Sequence, residues 1–313
     1  MLYIYMLLTI FTPTYNRANL LKRLYQSILN QSNKKTFEWL IIDDGSTDNT
    51  QDVVQDFIEE KKIIINYIKK KNQGKMQAHN TALEHARGKW FHCIDSDDYF
   101  ADSAFDLFFE QENVYFDDSK VVGICLFKKL EGQKIKFKEK INGNMLSRKE
   151  LARNGYHGEL SVFFKTDILK QYPFPKFGDE KFVHEAIVYQ KIEAKYKYIV
   201  YNSYNQIAEY QQDGYTFNDT KLAYNNPFGS SVFYKQSAKF TRNPLKKIKK
   251  YANYIAFSRL VNQKKTIHNS GNVPFCLVAY PLGLMYYKKY KKRYAKEKAP
   301  DNENNCNASS TVP

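Results

Sequence analysis

Cysteine is scarce in this sequence. Four residues in 313 (Cys93, Cys125, Cys276 and Cys306) lie far apart, with no C-x-x-C pair. That excludes a disulfide scaffold and a cysteine zinc site, and makes a reducing compartment the default. Long apolar runs are missing too. A membrane-spanning helix needs roughly 18 to 20 apolar residues, and the nearest candidate, Val273 to Tyr287, is short and carries Pro274, Pro281 and Gly283. The apolar start, Met1 to Ile10, has no basic segment before it and no small-residue cleavage site after it. It reads as a buried strand and not as a signal peptide, with Met6 an alternative start. No G-x-x-x-x-G-K-S/T, G-x-G-x-x-G or G-x-S-x-G occurs, and the six histidines show no metal-ligand spacing. These absences argue against a P-loop NTPase, a dinucleotide enzyme and a nucleophile-elbow hydrolase.

Charge of one sign is present in excess. The net charge is +15 and the pI near 9.3, which suits an anionic partner. Its distribution narrows the choice. Carboxylates cluster between Asp43 and Asp118, whereas Lys246, Lys247, Lys249, Lys250 and Lys288 to Lys298 load the end of the chain. A nucleic-acid groove would not be lined by a dense acidic segment. A metal-nucleotide site beside a membrane surface suits the pattern better, so no nucleic-acid partner is expected.

The first hundred residues alternate strand and helix signals. Leu7 to Phe11, Phe37 to Ile42, Ile63 to Ile68 and Trp90 to Ile94 are apolar runs of strand length. Between them, Asn19 to Leu29, the segment through Val53, Val54, Phe57 and Ile58, and Lys75 to Arg87 show helical spacing. Ser46 and Thr47 stand where the N-cap of the second helix is expected. The rhythm predicts an α/β fold with a mostly parallel sheet and helices on both faces. From Asp102 the pattern turns mixed, with strands at Val121 to Phe127, Leu160 to Lys165 and Tyr198 to Tyr201 and a helix over Val183 to Lys195. The expected organisation is a parallel α/β half at 1–101, a mixed half at 102–217, a helical basic segment at 218–300 and a disordered tail at 301–313.

Parallel sheets bind ligands at the carboxyl ends of their strands. Four polar clusters fall there: Thr12 to Arg17, Asp43 to Asp48, Asn72 to Lys75 and Asp95 to Asp98. In Asp95-Ser96-Asp97 two carboxylates two residues apart can converge on Mg²⁺ or Mn²⁺, which prefer hard oxygen ligands. The same residues also make an ordinary turn with a helix cap, and Asp98 reads as a cap or supporting group for a helix around Ala101. A strand-end carboxylate can accept a uracil N3–H, Tyr15 offers a stacking face, and Lys75 opens a helix whose N-terminus suits phosphate.

Taken in order, Phe11-Thr12-Pro13-Thr14-Tyr15-Asn16-Arg17, Ile42-Asp43-Asp44-Gly45-Ser46-Thr47-Asp48, Asn72-Gln73-Gly74-Lys75 with Ala78-His79-Asn80, and Ile94-Asp95-Ser96-Asp97-Asp98 resemble family-2 glycosyltransferases of GT-A fold. The likeness continues more loosely through Glu180 to Ala186 and Glu209 to Gly214. It implies inverting transfer of a sugar from a nucleotide-diphosphate sugar, usually a UDP-sugar, to a saccharide or lipid-linked acceptor, with Mn²⁺ or Mg²⁺. Thr12, Tyr15 and Asp44 would hold the base, with Thr14, Lys75 and Ser96 in the nucleotide-sugar set. Asp95 would touch ribose and metal, and Asp97 would be the main metal ligand. The family's base usually ends a Glu-Asp pair. Here His184-Glu185 stands in its place, so Glu185 takes the role, with Glu180 as the alternative.

The final segment, an apolar stretch followed by lysines and tyrosines, suits a bilayer surface. Its rival is a core-packed segment with a solvated basic helix. The expected place is the cytoplasm, peripheral at the inner face of the cytoplasmic membrane. Rival functions are a polyprenyl-phosphate sugar synthase, a basic nucleic-acid-binding protein and a non-catalytic UDP-sugar-binding relative.

Overall fold

A computed structural model of the chain describes residues 6–31, 37–130, 140–209 and 221–298. Tyr210 to Gly214 and the tail from Asp301, both singled out in the sequence, lie outside the described residues. The chain forms two compact units, Met1–Phe217 and Asn218–Pro313.

The first unit opens with β1 (Leu8–Thr14), α1 (Ala18–Leu29), β2 (Phe37–Asp43), α2 (Thr50–Glu59), β3 (Ile64–Lys69), α3 (Lys75–His85) and β4 (Trp90–Cys93). The four strands pair in parallel in the order β3-β2-β1-β4. Both faces are covered, and alternation along β1 shows how. Leu8 and Ile10 join the core built from Leu21, Leu24 and Tyr25 of α1 and Val54 and Phe57 of α2. Phe11, on the other face, meets the His79 ring of α3 at 5.6 Å. Burial pushes the His79 imidazole down to about 3, so it packs as a neutral ring. His92 of β4 behaves alike, with a pKa also lowered by burial to about 3 and its ring stacked 4.1 Å from Phe163.

The sheet then continues through β5 (Tyr99–Phe100), β6 (Val121–Leu130), β7 (Asn142–Leu146), β8 (Leu160–Lys165) and β9 (Lys197–Ala208), with α4 (Asp106–Tyr115), α5 (Arg148–Arg153), α6 (Thr166–Lys170) and α7 (Ala186–Ile192). β8 joins β4 and β6 antiparallel, so one nine-stranded sheet crosses from the first half into the second. This is the expected α/β arrangement, parallel in its first half and mixed in its second.

The second unit contains α8 (Pro227–Phe240), α9 (Pro244–Leu260) and α10 (Val273–Lys298). The apolar stretch Val273 to Tyr287 is part of one 26-residue helix. Pro274 sits in the first turn, where a missing N–H costs nothing. Gly283 is used for close packing: a Cβ there would lie 2.8 Å from Ile255 of α9. No described helix is long and apolar enough to cross a membrane.

Candidate active site

The loops after β1 and β2 lie side by side because Thr14 and Asp43 are register partners. Asn16, at φ 54°, donates its N–H to Ser46 Oγ at 2.9 Å and accepts from Thr47 N at 2.8 Å. Asp43 accepts from Ser46 N at 2.7 Å and from the Tyr67 hydroxyl. Ser46 and Thr47 are therefore spent on stitching the loops, and the expected N-cap there is wrong. α2 begins at Thr50, where Asp48 accepts from the Thr50 amide and hydroxyl at 3.1 and 2.6 Å.

Tyr15 stands at the tip of the first loop, 47% exposed. Thr12 points the other way: it is fully buried and its hydroxyl accepts from Trp39 Nε1 at 2.9 Å, so its side chain braces the strand end from beneath. The Thr14 hydroxyl is buried without a hydrogen-bond partner.

Asp44 is buried and shapes the loop that leads into α3. Its Oδ1 accepts from Gln73 N at 2.9 Å and Lys70 Nζ at 3.2 Å, and its Oδ2 from Gly74 N at 2.6 Å. Gly74 has φ 90°, and a Cβ on it would lie 1.7 Å from the Lys181 carbonyl oxygen. Only glycine lets this loop pass so close to the acceptor-side backbone. The loop delivers Lys75 as the first residue of α3.

Lys75 joins the two halves of the site. Its Nζ lies 2.7 Å from Asp95 Oδ1 and 3.3 Å from Glu185 Oε1. Burial works against its charge, but Asp95 and Glu185 overcome this and hold its pKa well above the lysine range. Glu185 occupies the N-cap position of α7 and Glu180 lies in the Phe177–Glu180 turn; the ion pairs described for Lys75 come from Asp95 and Glu185. The expected helix over Val183 to Lys195 is shorter, Ala186–Ile192.

Lys128 of β6 is a second partly buried cation, 3.6 Å from Asp95 Oδ2, 2.9 Å from Asp98 Oδ2 and 3.3 Å from Glu159 Oε2. Burial would raise the Asp95 pKa, yet the two lysines hold that carboxyl well below its usual range. Asp98 is thus a buried ion-pair partner that supports Asp95 through Lys128, one of its two expected roles, and it caps no helix near Ala101; the next helix starts at Asp106. Asp97 differs from both. No ion pair among the described residues engages its carboxylate, and burial together with the Asp95 charge raises its pKa. Its backbone oxygen accepts from Arg23 Nη2 at 2.7 Å. The same guanidinium lies 4.6 Å from the centroid of the Tyr99 ring and pairs with Glu209. Ser96 is buried between the two aspartates.

The donor set fits a hard divalent cation held jointly with a diphosphate. Asp97 supplies a partly desolvated carboxylate that feels the charges of Arg17 and Lys75 but makes no close ion pair among the described residues, so a cation could bind it directly. No group of three or more His, Cys, Asp or Glu that could hold a metal alone exists among the described residues, so the remaining ligands would have to come from phosphate and water. Lys128 and Arg23 escaped the sequence reading. Lys128 follows an apolar run and looks like its polar end, and Arg23 sits among the leucines of α1 like a solvent-facing residue.

The model of the family described as "Glycosyl transferase family 2" matches residues 9–160, which contain every strand-end motif described above. Over this span the chain belongs to glycosyl transferase family 2. This family-2 glycosyltransferase is 27% identical over 291 residues to the GalNAc(5)-diNAcBac-PP-undecaprenol beta-1,3-glucosyltransferase of Campylobacter jejuni, covering 92% of this chain and 84% of that protein. It spans only 18% of the length of a Rickettsia felis glycosyltransferase that matches 111 residues at 37% identity. Its GT-A fold is shared with S. aureus TarS 1-349, at a TM-score of 0.58, 18% identity and coverage of 94% of this chain and 92% of that one. The mannosyltransferase PcManGT of Pyrobaculum calidifontis, solved with GDP-Man and Mn²⁺, matches at a TM-score of 0.52 and 17% identity, covering 94% and 85%.

Proposed function

We propose that this glycosyltransferase moves a sugar from a UDP-sugar to a hydroxyl of a lipid-linked or surface-polysaccharide saccharide, inverting the anomeric centre, with Mn²⁺ or Mg²⁺ bound. One observation carries the proposal: Lys75 holds Asp95 of the D-x-D motif and Glu185 of the acceptor side together at the carboxyl end of the sheet. An inverting displacement needs a site of this kind, with diphosphate binding on one side of the sugar and a proton acceptor on the other. The acceptor oxygen bonds to the anomeric carbon, the bond from that carbon to UDP breaks, and Glu185 takes the acceptor's proton. When bound, the cation would neutralise charge on the departing diphosphate; Asp97 would hold it, with Asp95 beside it.

The known relatives support this choice of donor and acceptor. TarS 1-349 has been solved with UDP-GlcNAc, and the C. jejuni enzyme is named for an undecaprenol-linked saccharide. The side chains at the ends of β1 and β2 offer groups for the uridine. A carboxylate offers about four acceptor positions; Asp44 has filled three, which leaves one for the uracil N3–H. Tyr15 would stack on the ring, and the unpartnered Thr14 hydroxyl lies at the same strand end. The three described cysteines are free thiols, in keeping with work on the cytoplasmic side of the membrane.

Calorimetric titration of UDP tests the base site. Tyr15→Ala should weaken UDP binding by about tenfold, as expected for a lost stacking contact of roughly 1–3 kcal/mol, with an unchanged Tm. Asp44→Ala should weaken binding and also lower the Tm, because the Gln73 and Gly74 amides lose their acceptor, at about 1–3 kcal/mol. UDP binding by Tyr15→Ala as tight as that of the parent would place the base elsewhere.

A further inference from the structure

The two compact units differ sharply in charge. Asn218–Pro313 carries eighteen lysines and arginines against four acidic residues, so +14 of the chain's +15 resides there. Between residues 221 and 298 the sole acidic residue is Glu297. The excess is therefore not neutralised within the unit.

The longest helix of that unit, α10, has two contrasting faces. Cys276 and Ala279 are buried in the helical core, Gly283 touches Ile255, and the Tyr290 hydroxyl donates to Asn253 at 2.7 Å. The opposite face carries Val273, Leu277, Val278 and Met285, exposed by 41, 53, 66 and 57%, with Pro274 and Pro281 exposed among them. At 3.6 residues per turn these six fall within an arc of about 140°. Nine large hydrophobic residues are exposed among the described residues, and four of them lie on this one helix face. Lys288 and Lys292 extend the same arc, flanked by exposed Lys289, Lys291 and Arg293.

We propose that this face of α10 docks on an anionic lipid bilayer, its apolar side chains entering the headgroup boundary and its lysines meeting the phosphates. The combination decides the partner. A nucleic acid would satisfy the cations and leave the apolar row in water. A second copy would bring together two units that each carry +14. A bilayer meets both halves of the surface. The proposal rests on the lipid-linked acceptor for its purpose, though not for its evidence.

The test is co-sedimentation of the whole protein with vesicles of phosphatidylcholine alone or mixed with phosphatidylglycerol, at low and high salt. The parent should bind the mixed vesicles at least tenfold more tightly than the neutral ones and lose that preference in high salt. Leu277→Ser/Val278→Ser/Met285→Ser and Lys288→Ser/Lys289→Ser/Lys292→Ser should each weaken binding at least tenfold with unchanged melting, since roughly 1 kcal/mol per lysine is about fivefold. Donor hydrolysis measured without vesicles should be the same in all three proteins, which separates failure of docking from failure of the enzymatic role. Three outcomes would overturn the proposal. One is equal vesicle binding by parent and variants. Another is binding to duplex DNA in place of vesicles. The third is a dimer in sedimentation velocity that the apolar variant dissolves.

Discussion

Replacing Glu185 with glutamine is expected to leave the protein folded and able to bind UDP, yet unable to transfer sugar. The substitution keeps size and shape and removes the proton acceptor, a loss that typically costs about 10²–10⁴ in rate. The side chain is 49% exposed at the start of α7, with no capping hydrogen bond to lose, so melting should barely move. Its contact with Lys75 at 3.3 Å is what sets it beside the D-x-D motif. Glu180→Gln is the control, and it should keep most of its activity. The reverse pattern, a dead Glu180→Gln and an active Glu185→Gln, would move the base onto the loop before α7.

Asp97→Asn should abolish turnover by a factor on the order of 10³ or more, the scale of several kcal/mol of charge stabilisation. It should also remove the tightening of UDP by Mn²⁺. The sign of its effect on stability is informative. In the folded protein burial and the nearby Asp95 charge raise the Asp97 pKa, so ionisation of this carboxyl disfavours folding at neutral pH. Its destabilising contribution is present above the folded-state value and fades as pH falls below the ordinary carboxylate range. Asp97→Asn should therefore melt no lower than the parent at neutral pH and slightly higher if anything. Direct binding of Mn²⁺ by the free protein should weaken with acidification at a higher pH than an ordinary carboxylate would give. An Asp97→Asn variant that melts well below the parent would make Asp97 a structural residue.

The donor half was legible in the sequence for a physical reason. Strands buried on both faces read as apolar runs, and the helices between them keep a 3.6-residue period, so each of the four parallel strands and three helices lies within a few residues of its expected place. The strand-end motifs were legible because their chemistry is local: Tyr15, Asp44, Lys75, Asp95 and Asp97 each stand in a short polar cluster. What could not be read was long-range pairing. The partners of Lys128 are Asp95, Asp98 and Glu159, and Arg23 reaches Asp97 and Glu209, contacts between 30 and 186 residues apart. No local pattern announces a cation that folding will bury. The Thr12 side chain was hidden for a related reason, since alternation along β1 turns it toward Trp39.

The most direct measurement is UDP release from a panel of UDP-sugars and GDP-sugars in the presence of Mn²⁺, for the parent and for Asp97→Asn. The expected result is release from at least one UDP-sugar that stops in EDTA and in the variant. Release from GDP-sugars alone, or release that continues undiminished in EDTA and in Asp97→Asn, would contradict a UDP-sugar site assisted by a metal at Asp97.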